Sequence, residues 1–113
     1  MRSIKLLDLS TLTRYTDFMK EIALITGATA GFGKAAAELF AENGHDLILT
    51  GRREERLLKL KKRLEVEFGI NVLPLCFDVR SESEVNQAIS SITGIFKNIG
   101  ILINNLLSLL YQF

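Results

Sequence analysis

The sequence is short of cysteine, proline, histidine and net charge, and each scarcity removes a class of function. Cys76 is the only cysteine, so no internal disulfide can form, and a reducing, cytosolic setting is the simpler home. It lies in an apolar, strand-like run and is expected to be a small buried hydrophobe. Fourteen Lys and Arg against 13 Asp and Glu leave a net charge of +1, which gives no electrostatic case for nucleic acid or an anionic membrane as partner. No run approaches the ~18 apolar residues of a membrane span, and the N-terminus lacks the apolar core of a secretory signal. The single histidine, His45, stands near a helix stop with no carboxylate or nucleophile at a meaningful spacing, and is expected in a surface turn. No metal-ligating set is assigned.

What is present suits one small α/β domain. The 113 residues are 48% hydrophobic, enough for a core and too apolar for disorder. Residues 21–40 organise the rest. Ile22, Leu24 and Ile25 form a short apolar run, as in a strand covered on both faces. Phe32, Ala35, Ala36, Leu39 and Phe40 then recur at the spacing of one helix face. Between strand and helix, Gly27, Gly31 and Gly33 let the backbone turn tightly and approach a ligand closely. The helix that follows aims its N–H groups and the positive end of its dipole at that turn, so the natural guest is a phosphate or pyrophosphate.

Two familiar phosphate loops do not fit. A Walker A loop needs glycine four residues before Gly-Lys and a hydroxyl after it; here Ala28 and Ala35 hold those places. The common dinucleotide fingerprint, Gly-x-Gly-x-x-Gly, fails at Ala36.

Strand and helix patterns then alternate. Asn43-Gly44 stops the first helix, and residues 47–50 read as a second buried strand. Residues 54–68 read as a helix with Leu57, Leu60, Leu64 and Phe68 on one face, Lys59, Lys61, Lys62 and Arg63 mostly off it, and Gly69 closing it. Residues 72–77 form a third strand, at the sheet edge because it contains Pro74. Ser81 and Glu84 have the spacing of a capping box. A helix with Val85, Ala88, Ile89, Ile92 and Phe96 on its apolar face follows, and then a fourth strand at 100–104. Such alternation implies a parallel sheet with right-handed crossovers, in the order 3-2-1-4 of one half of a doubly wound, Rossmann-type fold. Just past the second strand, arginine in place of an acid favours a 2′-phosphate over a bare ribose. Arg52 and Arg53 stand there and pair well with phosphate.

The spacing Thr26-Gly27-x-x-x-Gly31-x-Gly33 after the first strand resembles the cofactor loop of the short-chain dehydrogenases/reductases. The resemblance runs from Met19 to Asn105. It implies that Gly27, Thr29, Gly31, Phe32 and Gly33 line a nicotinamide dinucleotide. Gly51 holds the place where NAD-type members carry Asp, which with Arg52 and Arg53 implies NADP. Asp78 and Val79 match the pair that holds the adenine ring. Asn104 and Asn105 match the start of the family's Asn-Asn-Ala-Gly motif, with Asn105 against a ribose and Asn104 locking the sheet. The loop and Thr50-Gly51-Arg52-Arg53 together look most like NADP-dependent members that oxidise serine and other 3-hydroxy acids.

The likeness breaks after Asn105. Leu106-Leu107 replace Ala-Gly, and the family's Ser, Tyr and Lys catalytic set has no counterpart. Tyr111 has no Lys four residues later, so no catalytic residue is assigned. The reading is of residues 19–105 as a partial NADP-binding domain of a truncated oxidoreductase, inactive alone. Residues 1–18 are a poorly ordered extension and residues 106–113 an apolar tail. The alternative is a non-catalytic nucleotide-binding or interaction module that self-associates through an exposed apolar edge on the fourth strand.

Overall fold

The structure, a computed structural model, describes residues 21–104 and the backbone of residues 2–5. A five-stranded parallel sheet carries the fold. Its strands are β1 (Arg2–Lys5), β2 (Ile22–Ile25), β3 (Leu47–Gly51), β4 (Val72–Cys76) and β5 (Ile99–Asn104). Helix α1 (Gly31–Glu42) links β2 to β3, and α2 (Glu54–Phe68) links β3 to β4. Helix α3 (Glu82–Ser90) and a 3₁₀ turn (Gly94–Lys97) lead into β5.

The spatial order is β1-β5-β2-β3-β4. The last four positions are the 3-2-1-4 arrangement inferred from the sequence, with Pro74 on the β4 edge as its missing donor requires. The first position corrects two expectations. Within the segment read as a poorly ordered extension, Arg2–Lys5 form a strand, and they pair in parallel with β5 from Arg2↔Ile101 to Lys5↔Asn104. The edge expected to be open is covered there, which removes the ground for self-association through it. Asn105 and the apolar tail, residues 106–113, lie outside the described residues.

The main core lies between the sheet and α1 and α2. Ala23, Ile25, Leu47, Leu49, Ile101 and Ile103 face Ala36, Ala37, Phe40, Leu57, Leu60 and Leu64. The buried stripe of α1 is Gly33, Ala36, Ala37, Phe40 and Ala41, rotated from the expected one, and Phe32 is 40% exposed. Small residues along this stripe let α1 lie close to the sheet, and Phe40 alone fills the remaining depth. On the other face Leu24, Ile48 and Leu102 are covered by a thinner layer. The third helix ends at Ser90, so Ile92 and Phe96 reach this face from the turn that follows, and Ile89 is half exposed.

Local chemistry explains the helix ends. Gly44 and Gly69 take positive φ, which favours glycine. Ser81 Oγ accepts from the Glu84 N–H at 3.3 Å, but Glu84 reaches back to the Asp78 N–H, so the capping box is only half made. Glu65 accepts from Lys61 at 2.8 Å and from the Val72 N–H at 3.0 Å, tying α2 to the start of β4. The Lys61 ammonium beside it holds the Glu65 carboxyl below its usual range.

His45 is buried, not in a surface turn. Its Nδ1–H donates to the Glu21 carbonyl at 2.8 Å, and its ring meets Phe40 edge-on at 5.0 Å. The imidazole thus joins the end of α1 to the entry of β2. Cys76 is exposed, also against expectation, because it ends an edge strand; its thiol donates to the Arg52 carbonyl at 3.4 Å.

Candidate functional site

The C-terminal ends of β2, β3 and β4 deliver the candidate residues to one rim of the sheet, and the connection reverses between β2 and β5. In open α/β sheets ligands bind at such a reversal. The loop after β2 is stitched to both neighbouring strands. The Thr26 N–H donates to the Ile103 carbonyl and the Ala28 N–H to the Thr50 carbonyl, each at 3.0 Å. Buried Thr26 also places its hydroxyl 3.2 Å from Asn104 Oδ1 and 3.4 Å from the Ile103 carbonyl. This contact ties Asn104 to the root of the loop.

Beyond that root, Gly27 and Gly31 adopt φ of 60° and 57°, which a side chain would strain. A Cβ on Gly31 would meet no atom within 4 Å, so the loop is open above that residue. The first turn of α1 is chemically distinct from those of the other two helices. Its N-cap is Ala30, with no side-chain hydrogen bond, and it contains no acid. In contrast, α2 carries Glu54 and Glu55 there, and α3 has Ser81, Glu82 and Glu84. The leading N–H groups of a helix have no partner inside it. Here no side chain competes with an anion for them, and the residues fit a pyrophosphate.

Thr29 and Gly51 meet across the rim. A Cβ on Gly51 would stand 3.0 Å from Thr29 Cγ2 and 3.6 Å from Leu57 Cδ1. The threonine methyl therefore occupies the space that a residue at 51 would need, and sequence reading alone gave no signal of this pairing. Arg52 and Arg53 follow, both exposed and neither in an ion pair.

At the end of β4, Asp78 is engaged with its own neighbour. Its carboxylate accepts from Arg80 Nε at 3.1 Å, Arg80 Nη2 at 2.9 Å and the Arg80 N–H at 2.9 Å. The Arg80 guanidinium, followed by that backbone N–H, holds the Asp78 carboxyl down to about 2. Val79 lies beside it, partly buried. The structure thus brings Gly27, Thr29, Gly31, Phe32, Gly33, Arg52, Arg53, Asp78 and Val79 to one rim, while Asn105 lies outside the described residues. Among the described residues no group of His, Cys, Asp and Glu could hold a metal ion, and no helix is long and apolar enough to cross a membrane.

Residues 21–106 match the family described as short chain dehydrogenase. The NADP-dependent 3-hydroxy acid dehydrogenase YdfG of Salmonella typhi is 46% identical over 84 residues, covering 74% of this chain and 32% of that protein. Sulfoacetaldehyde reductase 2 of Chromohalobacter salexigens is 47% identical over 87 residues, covering 77% of this chain and 34% of that protein. Among solved structures, L-sorbose reductase from Gluconobacter frateurii, complexed with NADPH and L-sorbose, superposes with a TM-score of 0.72 at 34% identity. That match covers 79% of this chain and 34% of the reductase. The chain spans about a third of the length of the curated relatives it matches.

Proposed function

Because this chain belongs to the short-chain dehydrogenase family, we propose that its residues hold NADP(H) for a hydride-transferring oxidoreductase. The observation that carries the reading is the rim around Gly51: no acid at that position, Thr29 packed over it, and Arg52 and Arg53 free of carboxylate partners. An acid there would bond a ribose diol; a guanidinium pairs with a 2′-phosphate.

In this reading Gly27, Gly31, Phe32 and Gly33 bring backbone to the pyrophosphate, and Thr29 and Arg52 face the adenosine ribose with Arg53 beside it. Asp78 and Val79 border the adenine, and Asn105 the second ribose. The bound cofactor would supply or accept the hydride. The chain's own residues bind and orient it, and none is assigned a proton-transfer step. The substrate belongs to the alcohol/carbonyl class, with a 3-hydroxy acid as first choice from the YdfG likeness. A reducing, cytosolic setting suits the exposed thiol of Cys76, and the partners are small molecules rather than nucleic acid or membrane.

Calorimetric titration with NADPH and NADH tests the proposal. NADPH is expected to bind at least tenfold more tightly. Equal affinities, or binding of neither, would overturn it.

A further inference from the structure

A cavity of about 370 Å³ opens between the first turn of α1 and the exposed side of α2. It is lined by Thr29, Lys34, Arg56, Lys59, Leu60 and Arg63. Four of these six residues are cationic and none is acidic, in a chain whose charges nearly cancel. Arg63 is paired with Glu38 at 2.6 Å and with Glu67 at 3.3 Å. Lys34, Arg56 and Lys59 are exposed and take part in no ion pair among the described residues. The acids nearest in sequence to this wall are Glu38, already held by Arg63, and Glu54 and Glu55 at the start of α2.

Thr29 is the hinge between this cavity and the rim. Its side chain lines the cavity and also packs over Gly51, one residue before Arg52. An anion placed at the ribose end of the rim therefore sits at the mouth of a wall of uncompensated cations. Like charges gathered without partners repel one another, and a multivalent anion relieves that repulsion.

We propose that this α1–α2 groove is an anion subsite in which Lys34 and Arg56, with Lys59 behind them, discriminate the 2′-phosphate of NADP(H) from the bare ribose of NAD(H). The inference rests on the cofactor reading above and extends it from the arginines after β3 to two helices for which no cofactor role was read from the sequence. The chemistry the groove recognises is a phosphate monoester, and two sources are conceivable: the cofactor's own 2′-phosphate or free phosphate.

Calorimetry on the full chain with NADPH, NADH, 2′,5′-ADP, ADP and inorganic phosphate separates these cases. The variants are Lys34→Gln/Arg56→Gln, Arg52→Gln, and Lys62→Gln as a control cation outside the groove. All these side chains are exposed, so unchanged circular dichroism and melting are expected throughout. The double variant should weaken NADPH and 2′,5′-ADP by about fivefold to thirtyfold and leave NADH and ADP within about twofold, through the loss of two screened charges. It should also flatten the decline of NADPH affinity with added salt. Lys62→Gln should match the unaltered chain.

If Arg52→Gln lowers NADPH selectivity while the double variant does not, the groove is no subsite, and the cofactor reading stands. If the unaltered chain binds neither dinucleotide, both fall. Should inorganic phosphate bind with micromolar affinity and lose it in the double variant while NADPH keeps its own, the groove serves free phosphate and the proposal is overturned.

Discussion

Replacing Gly51 by Asp tests the rim from the inside. The new Cβ would stand 3.0 Å from Thr29 Cγ2, inside the 3.4 Å at which ordinary contact begins. The threonine must yield by a few tenths of an ångström, at roughly 1 kcal/mol for a modest overpacking. The larger effect is electrostatic. A carboxylate about 6 Å from a dianionic 2′-phosphate repels it by roughly 1.5 kcal/mol in water-like surroundings, and by more where the rim excludes water. NADPH should therefore bind about 10- to 100-fold more weakly, at 1.4 kcal/mol per factor of ten. NADH should gain, because hydrogen bonds from a ribose diol to a charged acceptor are worth ~1.5–3 kcal/mol before the packing cost is subtracted. The selectivity ratio should swing by about two orders of magnitude or more. Thr29→Ser removes Cγ2 and keeps the hydroxyl, so adding it to Gly51→Asp should recover most of the packing loss. The double-mutant cycle on NADH affinity isolates that coupling. The readout is calorimetry on all four proteins, with circular dichroism as the check on folding. If Gly51→Asp changes NADPH and NADH affinity by the same factor, the side chain at 51 does not face the adenosine ribose, and the rim has been misassigned.

Other consequences can be checked separately. Phe40 is fully buried, so Phe40→Ala should cost about 3–5 kcal/mol in urea unfolding; a loss below 1 kcal/mol would show that the α1 side of the core is loosely packed. A Cβ on Gly100 would come within 2.5 Å of Glu21 Cβ, beside the register shift between β2 and β5, so Gly100→Ala should lower the melting temperature and Glu21→Gly should partly restore it. Asp78 ionises at about 2 in the fold against 3.8 for the free side chain. A depressed carboxyl contributes stability above the higher value and loses it as pH falls through the lower one. NMR titration of the Asp78 carboxyl should therefore find a midpoint near 2, moving toward 3.8 in Arg80→Ala; a midpoint near 4 in the unaltered chain would refute the pairing. Deleting residues 1–5 uncovers β5, so the shortened chain should self-associate with rising concentration in analytical ultracentrifugation while the full chain does not.

Much of the architecture was legible because it follows from short-range rules. Three glycines between an apolar strand and a helix, positive-φ glycines ending two helices, and a proline confined to an edge strand each act within a few residues. The candidate site was legible for the same reason, since parallel strands carry their C-terminal loops to one rim whatever else the chain does. What was not legible depends on which distant segments meet. The burial of His45 requires the Glu21 carbonyl, 24 residues away in sequence. The exposure of Cys76 follows from its place at the end of an edge strand. The strand at Arg2–Lys5 exists only because β5 presents free N–H and C=O groups to it, and no local period announces it. The contact of Thr29 with Gly51 belongs to this class too, and it is the one that bears on cofactor choice.

The pairing of β1 with β5 also sets an order of events. The segment that leaves the ribosome first is joined to the strand made last among those described, with the whole βαβαβ unit between them. Loop closure over such a span is entropically late, so β2, β3 and β4 can assemble while β1 waits unpaired. For that interval the nascent chain carries a strand without a sheet, and chaperone demand should peak just before β5 emerges.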